Sequence, residues 1–525
     1  MVPGYDTAAL AEETLRRCQW IHFGAGNLFR AYPAALSQQL IRRGEADTGI
    51  LAVTAAGSDT PEKIYRPWDN LSLSVTLGHE GSLDAEVIGC IAGVLRADPH
   101  SPDWDPLVRA FCCPDLQLVT FTVTEKAYRT RLSDGSFPED LKEDLLRGPE
   151  SVATLLPAVT ALLYHRYREN AAPLALVSLD NCAQNGRKLR DAVCLIAEEW
   201  QRCGRVGAAF IEYVKDESLV SFPWTMIDKI VPYPSETVGS HLRSLGLVDM
   251  DIVQTGRGSR SAPYVNAEKP GYMFIEDRFP NGRPPLERAG VYFTDREIVE
   301  KVEKMKVGAC LNPLHTALAL LGCLLGFATI AETMKHPSVP VFLREMALLE
   351  SMPVLEDPLL LDPARFLDEV LRERFPNPYI PDTPQRIATD TSQKIPVRFG
   401  ETLKKYAVLA PDRLGELCRI PFVFACWLRY LTGEDDRGMP MELSPDPRLK
   451  ELRDAVEGCG AGKFREAGPL LEALLRDSGV FGVDLRAAGL ADQVLALFRC
   501  MCAGPGAVEA TLAQTAEPAS GRRSI

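Results

Sequence analysis

A short apolar segment that runs directly into a glycine turn and a helical pattern constrains the fold of this chain more than any other feature. The segment QWIHF ends at Phe23, the turn GAGNLFRA spans residues 24–31, and the apolar residues of 34–44 recur with helical spacing. A second apolar segment, ILAVTAAGSD at residues 50–59, is typical of another buried strand. This order of strand, turn, helix and strand predicts a parallel sheet covered by helices on both faces.

The same pattern continues along the chain and then changes. Residues 116–128 and 173–186 are apolar segments that end in polar, turn-like residues, whereas helical periodicity dominates after about residue 295. We therefore predict an α/β Rossmann-type domain with a mostly parallel sheet, followed by a mostly α-helical domain. The predicted boundaries are 1–17 for an N-terminal arm, 18–295 for the dinucleotide-binding domain, 296–502 for the helical domain and 503–525 for a flexible tail.

The composition excludes several classes of partner. Among 525 residues, 58 Lys and Arg face 71 Asp and Glu, a net charge of −13, which disfavours nucleic acid and anionic membranes as partners. The longest apolar run, near residues 317–330, is too short to span a bilayer and predicts a buried helix. No secretion signal is apparent, so we expect a cytoplasmic protein. The fourteen cysteines lack the spacing of zinc sites, and we expect no metal.

The glycine turn is the candidate cofactor site. Gly24 permits a tight turn, and Gly26 lets backbone N–H groups approach a pyrophosphate at a helix N-terminus. Phe29 and Arg30 occupy the region of the third glycine of the usual fingerprint, so a plain strand–helix turn is an equal alternative on the motif alone. Asp59 follows the second strand, where a carboxylate binds ribose hydroxyls and repels a 2′-phosphate, which favours NAD over NADP.

The segment EKVEKMKVGACLNPLHTALALLG, residues 300–322, carries candidate catalytic residues. Lys306 lies among apolar residues, and burial would lower its pKa enough for it to act as a general base. Asn312 could donate a hydrogen bond to an alkoxide, and His315 could hold a substrate hydroxyl. Each residue also has a purely structural alternative: Lys306 could be a surface lysine, Asn312 a helix cap and His315 a histidine of the core.

A second polar segment, Asp180-Asn181, follows an apolar strand and is closed by Asn185-Gly186. Because ligands bind at the carboxyl ends of parallel strands, Asn181 is placed to supply a second hydrogen-bond donor to a reacting oxygen. An ordinary asparagine-rich turn is the alternative.

Six blocks in this order resemble a known family, the polyol-specific long-chain dehydrogenases/reductases, which includes mannitol 2-dehydrogenase and the fructuronate and tagaturonate reductases. The resemblance covers about residues 19–500. The blocks are GAGNLFRA (24–31), TVTEKAY (122–128), SLDNCAQNG (178–186), SFPWTMIDKIVP (221–232), EDRFPNGRP (276–284) and KVGACLNPLHT (306–316).

The resemblance implies specific roles for residues in both predicted domains. Lys306 matches the general base, and Asn181 and Asn312 match the asparagines that polarise the reacting oxygen. The residues that match substrate contacts are His315, Arg386 and Lys394, and those that match proton-relay acids are Glu303 and Asp228. The cofactor contacts that we predict are Gly24, Gly26, Asn27, Phe29, Arg30, Asp59, Thr124 and Glu125.

One departure from the family lies at the predicted base. The family more often has four residues between the lysine and the asparagine, whereas this chain has five, VGACL. On a continuous α-helix one extra residue would rotate Lys306 by about 100°. We therefore predict a π-bulge, or a break at Asn312-Pro313, and we assign the chain to a divergent branch.

These features together predict a metal-independent, NAD-dependent oxidoreductase that interconverts a sugar alcohol or a sugar acid and its 2-keto form. D-mannitol/D-fructose and D-mannonate/D-fructuronate both fit, and Arg386 and Lys394 slightly favour the sugar acid. Two alternatives stay open, an NAD-binding sensor that has lost the chemistry and a dehydrogenase of another hydroxy acid. The sequence leaves the oligomeric state undetermined.

Overall fold

The structure, a computed structural model, describes residues 3–256 and 258–516, and these residues form two compact units. The first unit extends to Glu300 except for residues 79–81, and the second unit contains residues 79–81 and continues from Lys301. The division lies inside the helix Arg296–Met305, whereas the sequence-based prediction put it just before that helix.

The first unit is organised around a parallel sheet of six strands. The order in this sheet is β5-β2-β1-β6-β7-β8, so its strands are arranged 3-2-1-4-5-6 by their succession in the chain, which is the order of dinucleotide-binding folds. The strands of the unit are β1 (Trp20–Phe23), β2 (Ile50–Ala55), β3 (Ser72–Leu77), β4 (Leu83–Ile88), β5 (Ile91–Ala97), β6 (Leu118–Phe121), β7 (Leu174–Ser178), β8 (Val220–Ser221), β9 (Thr225–Asp228), β10 (Val253–Gln254), β11 (Arg260–Ser261), β12 (Tyr264–Glu268), β13 (Tyr272–Glu276) and β14 (Tyr292–Thr294).

Alternating side chains of the sheet enter two separate hydrophobic cores. Ile21 and Phe23 of β1 belong to one core, and Trp20 belongs to the other. In β7, Leu176 belongs to the same core as Ile21, and Val177 belongs to the same core as Trp20. Because successive residues of a strand point to opposite faces, apolar residues at consecutive positions bury both faces of this sheet.

Helices cover the sheet, and smaller sheets complete the first unit. Three-stranded sheets have the orders β12-β3-β4 and β14-β13-β9, and β10 pairs with β11. The helices are α1 (Thr7–Arg16), α2 (Asn27–Ala31), α3 (Pro33–Arg42), α4 (Trp104–Phe111), α5 (Glu139–Arg147), α6 (Leu155–Glu169), α7 (Asn185–Arg202), α8 (Ala208–Lys215) and α9 (Glu236–Ser244). The predicted fold class is confirmed for this unit by the parallel sheet and its strand order.

The second unit is helical, as predicted. After α10 (Arg296–Met305) its helices are α11 (Asn312–Leu325), α12 (Ile330–Thr333), α13 (Ser338–Glu345), α14 (Pro363–Glu369), α15 (Pro384–Ala388), α16 (Thr391–Ile395), α17 (Glu401–Leu409), α18 (Pro411–Leu414), α19 (Arg419–Leu431), α20 (Leu449–Ala455), α21 (Pro469–Leu475), α22 (Ser478–Phe481), α23 (Ala491–Met501) and α24 (Ala507–Ala516). Four π-helical turns interrupt this series, at Lys306–Cys310, Met346–Ser351, Val370–Arg374 and Pro396–Gly400.

One helical stretch is apolar enough to resemble a membrane span. It covers Arg296–Leu325, and by length and composition alone it could cross a bilayer, but 78% of its most apolar window is buried inside the protein. Such burial is typical of the core helix of a globular unit, which agrees with the buried helix predicted from the sequence.

The sequence predicted a flexible tail from residue 503, but the structure shows a further helix there. Residues 507–516 form α24, in which Val508 and Leu512 are fully buried. Asp436 accepts hydrogen bonds from the backbone N–H groups of Val508 and Glu509, which satisfies donors in the first turn of the helix. The small residues that suggested disorder form a helix here because Val508 and Leu512 are buried against the rest of the unit. Residues 517–525 lie outside the described part of the chain.

Candidate active site

A cavity of about 960 Å³ opens in the first unit beside the carboxyl ends of its central strands. Its wall contains the turn after β1, the residues that follow β2 and β6, and residues 259–261. The strand order reverses between β1 and β6, and ligands of open parallel sheets bind at such a point. The volume lies at the upper end of the range of about 300–1,000 Å³ for ligand pockets, which suits an extended dinucleotide.

The glycine turn forms the floor of this cavity. Gly24 has a φ of +110°, and a Cβ atom at this position would lie 2.2 Å from the carbonyl oxygen of Thr122. A Cβ on Gly26 would meet no atom within 4 Å, so this residue leaves open space above the backbone. The helix that follows has only five residues, because it ends at Tyr32 and a new helix begins at Pro33.

Three residues of the turn divide between the cavity wall and the interior. Asn27 lines the cavity, whereas Phe29 and Arg30 are completely buried. Phe29 stacks on His22 with a centroid separation of 4.3 Å, and Arg30 donates hydrogen bonds to Asn27, Ser72, Ser261 and the carbonyl of Ala262. A residue without exposed surface cannot contact a ligand in the cavity. The predicted cofactor contacts at Phe29 and Arg30 are therefore corrected to supporting positions behind the turn.

Asp59 lies next to the cavity, but its carboxylate is engaged by the protein. Its oxygens accept a hydrogen bond from the backbone N–H of Gly256 at 2.7 Å and pair with Lys63 at 2.7 Å. The hydrogen bond from Lys63, followed by that from Gly256, lowers the pKa of Asp59. Its neighbours Ser58 and Thr60 line the cavity, while Asp59 does not.

The two predicted contacts after β6 also differ in position. Thr124 lines the cavity. Glu125 is mostly exposed and pairs with Lys188 at 2.5 Å, beside a separate, shallower depression. The structure thus places Thr124, but not Glu125, on the cavity wall.

The end of β7 carries a buried carboxyl group, Asp180, for which the sequence predicted no role of its own. Asp180 lines the cavity, yet only 7% of its surface is exposed. Tyr128 donates a hydrogen bond to it, and the Tyr128 hydroxyl lies 2.9 Å from that of Ser178. Burial raises the pKa of Asp180 from 3.8 to about 7. The adjacent Asn181, which the sequence did single out, is exposed at the same strand end.

The proton-relay candidate of the first unit is also buried. Asp228 ends β9 with 4% of its surface exposed, and it lies opposite Tyr272 of β13. Its charge contributes, after burial, to the raised pKa of Tyr32.

The segment around Lys306 forms one helical stretch with a π-turn. Only 3% of the Lys306 surface is exposed, and the residue begins the π-helical turn Lys306–Cys310. The N–H of Leu311 donates to the carbonyl of Lys306, a bond of the i→i−5 type, and α11 begins at Asn312. The predicted π-bulge is therefore confirmed. Glu303 lies on α10 three residues before Lys306 and is half-buried.

His315 lies one turn into α11, close to several cationic side chains. Its Nε2 atom is buried without a hydrogen bond and stands 3.8 Å from Oδ2 of Asp382. Burial is the largest cause that lowers its pKa, to about 3, and the charges of four nearby side chains lower it further. These side chains are Arg398, Arg386, Arg374 and Lys394.

The structure brings Arg386 and Lys394, the two other predicted substrate contacts, close to His315. Arg386 is largely exposed and pairs with Asp382, the same carboxylate that faces His315. Lys394 donates a hydrogen bond to the carbonyl of Ile387 at 2.9 Å. Burial, together with the charge of Arg398, lowers the pKa of Lys394 to about 8.

Sequence reasoning missed two members of this cationic group, Arg374 and Arg398. Each lies in a π-helical turn. Arg398 follows Lys394 by four residues, so it shares a face with Lys394, and this spacing was the available signal. The turn that carries Arg398 ends in a close backbone contact, since a Cβ on Gly400 would lie 2.6 Å from the Cα of Gly482.

Among the described residues, no group of three or more His, Cys, Asp or Glu side chains is arranged so that it could hold a metal ion.

The strand order, the glycine turn and the buried lysine define a two-domain, dinucleotide-dependent dehydrogenase. The chain belongs to the mannitol dehydrogenase family: residues 18–288 match the mannitol dehydrogenase Rossmann domain, and residues 298–501 match the mannitol dehydrogenase C-terminal domain. The family that the sequence indicated is thereby confirmed.

Individual relatives match nearly the whole chain. The D-mannonate oxidoreductase of Thermotoga maritima is 44% identical over 512 residues, which cover 97% of this chain and 94% of the relative. A mannitol 2-dehydrogenase of Aspergillus fumigatus is 30% identical over 494 residues, 92% of this chain and 89% of the relative.

Two solved structures show the same fold. Substrate-free D-sorbitol dehydrogenase superposes with a TM-score of 0.79 at 25% identity and covers 97% of this chain and 96% of its own. The ternary complex of Pseudomonas fluorescens mannitol 2-dehydrogenase with NAD and D-mannitol has a TM-score of 0.69 at 27% identity, with 98% and 96% covered.

Proposed function

We propose that the protein catalyses the reversible, NAD-dependent oxidation of a secondary alcohol in a sugar acid of the D-mannonate type to the corresponding ketone. The observation that supports this most directly is the helical stretch of the second unit, in which a buried Lys306 and Asn312 are followed by His315 and its cationic neighbours. Such a group suits an anionic, polyhydroxylated substrate. The 44% identity to D-mannonate oxidoreductase points to the same substrate class.

The first unit would hold the coenzyme. The cavity is large enough for a dinucleotide, and Gly24 and Gly26 place no side-chain atoms of their own in its wall. Gly24, Gly26, Asn27 and Thr124 would contact it, with Asp59 near the ribose. When bound, NAD accepts the hydride from the carbinol carbon. For the proposed preference for NAD over NADP, the carboxylate of Asp59 would exchange its bonds to Lys63 and Gly256 for the ribose hydroxyls.

The second unit would supply the proton chemistry. Lys306 takes the proton of the substrate hydroxyl as its C–O bond becomes a carbonyl, and in reduction it returns that proton. Asn312 donates a hydrogen bond to the same oxygen, a role that Asn181 of the first unit shares by resemblance. Glu303 and Asp228 would pass the proton onward. The lysine and the amides perform the charge stabilisation that a metal performs in other dehydrogenases, so the proposal includes no metal.

The remaining side chains would orient the substrate. His315, kept neutral by its lowered pKa, accepts or donates one hydrogen bond to a hydroxyl. Arg386 and Lys394 bind further hydroxyls or the carboxylate. A small molecule is thus the proposed partner, and the net charge of −13 disfavours nucleic acid and membranes. All fourteen cysteines are free thiols, which fits the cytoplasm that we propose as its location.

The absorbance of the reduced coenzyme tests this proposal. The purified protein is incubated with D-mannonate, D-mannitol or unrelated 2-hydroxy acids, each with NAD and with NADP. We expect the highest kcat/KM for D-mannonate with NAD. Turnover confined to D-mannitol would replace the sugar acid by a polyol, and turnover confined to another hydroxy acid would replace both. Binding of NADH without turnover of any compound would instead identify a sensor.

Lys306→Ala tests the proton-transfer role. We expect kcat to fall by about 10²- to 10⁴-fold, the usual contribution of a general base, with the Kd for NADH unchanged. Lys304→Ala, an exposed neighbour on α10, is the matched control and should keep its activity. Near-full activity of Lys306→Ala would show that another group is the base.

A further inference from the structure

We propose that Arg398 binds the carboxylate of the substrate and thereby sets the preference for a sugar acid over a neutral polyol. This inference rests on the proposed function and assigns a residue that the sequence comparison did not.

Arg398 is fixed beside the residues proposed to act on the reacting alcohol. Its Nη1 atom donates hydrogen bonds to the carbonyl oxygen of Asn312 at 3.1 Å and to the hydroxyl of Thr316 at 2.6 Å. Both acceptors belong to α11, and His315 lies between them in the sequence. The guanidinium group therefore stands within one side chain's length of the proposed hydroxyl-binding residues.

The rest of the guanidinium group is not used by the protein. Nε and Nη2 of Arg398 make no hydrogen bond in the part of the chain that the structure describes, and neither atom is sealed from open space. Residues 258–516 also provide no carboxylate within ion-pair distance of it. Two adjacent donors on one planar group are the arrangement that a carboxylate accepts in bidentate fashion.

Other buried arginines of this chain are satisfied differently. Arg166 donates to five backbone carbonyls, and Arg429 donates to three carbonyls and a threonine hydroxyl. Arg419 pairs with Glu345 and Glu350. Arg386, the exposed member of the cationic group, has Asp382. Arg398 has neither a full set of acceptors nor a carboxylate partner: three of its five N–H groups, one on Nε and two on Nη2, point to no acceptor among the described residues.

Burial of Arg398 without a counter-ion has a cost. Desolvation lowers its pKa from 12.5 to about 10. Repulsion between neighbouring positive charges adds to this cost. The charge of Arg398 is, after burial, the largest cause of the lowered pKa of Lys394. An incoming carboxylate would offset both effects, whereas a neutral hydroxymethyl group would offset neither. The charge balance of this group therefore favours an anion over a polyol.

Arg398→Gln is the decisive variant, because glutamine can keep a hydrogen bond to α11 but carries no charge. The substrates are D-mannonate and its neutral amide, which differ only at the carboxylate. We expect kcat/KM for D-mannonate to fall by about 10- to 100-fold, the range for a lost charged hydrogen bond, while kcat/KM for the amide stays within about 3-fold. Arg413→Gln, which removes an exposed positive charge from the same unit, should change neither value.

The outcomes separate the inference from the proposed function. If wild-type protein does not oxidise D-mannonate, the proposed function is wrong and the inference is withdrawn with it. If wild-type protein oxidises D-mannonate but Arg398→Gln lowers kcat/KM equally for the acid and the amide, Arg398 only supports α11 and the inference alone is wrong. The melting temperature and the Kd for NADH of each variant confirm that the fold is retained.

Discussion

The carboxyl group of Asp180 shows how strongly one position can depend on its surroundings. It lines the cavity of the first unit, and burial raises its pKa from 3.8 to about 7, although the hydrogen bond from Tyr128 acts in the opposite direction. The folded protein therefore holds a proton that the unfolded chain releases at lower pH. Stability that derives from this proton is present below pH 4 and is lost as the pH rises through 7.

Asp180→Asn is expected to remove this pH dependence, because the amide does not ionise. Relative to wild type, the variant should gain stability as the pH rises from 5 to 8, on the scale of about 1.4 kcal/mol for each pKa unit of difference. Urea unfolding at a series of pH values measures the effect. Asp115→Asn, at an exposed turn, is the control and should follow wild type. A constant difference between Asp180→Asn and wild type at all pH values would contradict the raised pKa.

The sequence predicted some positions of the candidate site and missed others for a physical reason. Lys306, Asn312 and His315 are local to one segment, so spacing could reveal them. Asp180 is buried beside Tyr128, which is distant from it in the sequence. Likewise, the sequence alone could not show that no carboxylate among the described residues pairs with Arg398. Phe29 occupies a motif position, but only the packed structure shows that its ring faces His22 rather than a ligand.

At the scale of elements, the π-turn at Lys306–Cys310 explains how the chain tolerates an additional residue before Asn312. A π-turn contains one residue more than an α-turn, so the helix on each side keeps its facing direction. A Cβ on Gly308 would meet no atom within 4 Å, so the turn has space for adjustment. The insertion thus lengthens one turn without rotating Lys306 away from α11.

Deletion of Gly308 should therefore be tolerated. The π-turn would become an α-turn, and we expect activity to remain within about 10-fold of wild type. Insertion of an alanine after Gly308 should abolish activity, because a second extra residue would rotate Lys306 by about 100° relative to Asn312. The rates of NADH oxidation by the two variants are compared with the wild-type rate, and NADH binding shows that each variant is folded. Equal loss of activity in both variants would refute this explanation.

Elements were predictable where a strong periodicity stood next to a turn signal. The strands β1, β2, β6 and β7 follow from their apolar sequences, and Asn312-Pro313 marks the start of α11. Helix α24 was missed because its small residues carry little periodicity, and its stability depends on tertiary contacts of Val508 and Leu512. The break at Tyr32 was also missed, since its backbone conformation belongs to neither a helix nor a simple turn.

At the scale of the whole molecule, each of the two compact units carries its own site. The coenzyme cavity is built only from residues of the first unit. The cationic group around His315 is built only from residues of the second unit. A ligand that binds one site should therefore slow local opening first in the unit that contains it.

Hydrogen exchange should reveal this separation. Saturating NADH without substrate is expected to protect amides around residues 24–28 and 122–130, most of which line the cavity, and to leave α19 unchanged. Gly24→Ala should lose this protection, because its Cβ would collide with the Thr122 carbonyl. Gly57→Ala at an open turn also has a positive φ, so it controls for backbone strain alone and should retain protection. Comparable protection of α19 by NADH would contradict a coenzyme site confined to residues of the first unit.

The backbone contact between Gly400 and Gly482 has a consequence for changes at position 398. The backbones of Gly400 and Gly482 approach each other closely at the end of the turn that carries Arg398, and this contact does not involve the side chain at position 398. Exchange of that one side chain therefore leaves the scaffold in register. If Arg398 sets the preference for an acid, one substitution at this position would change the charge offered to the substrate while the backbone of the turn stays as it is.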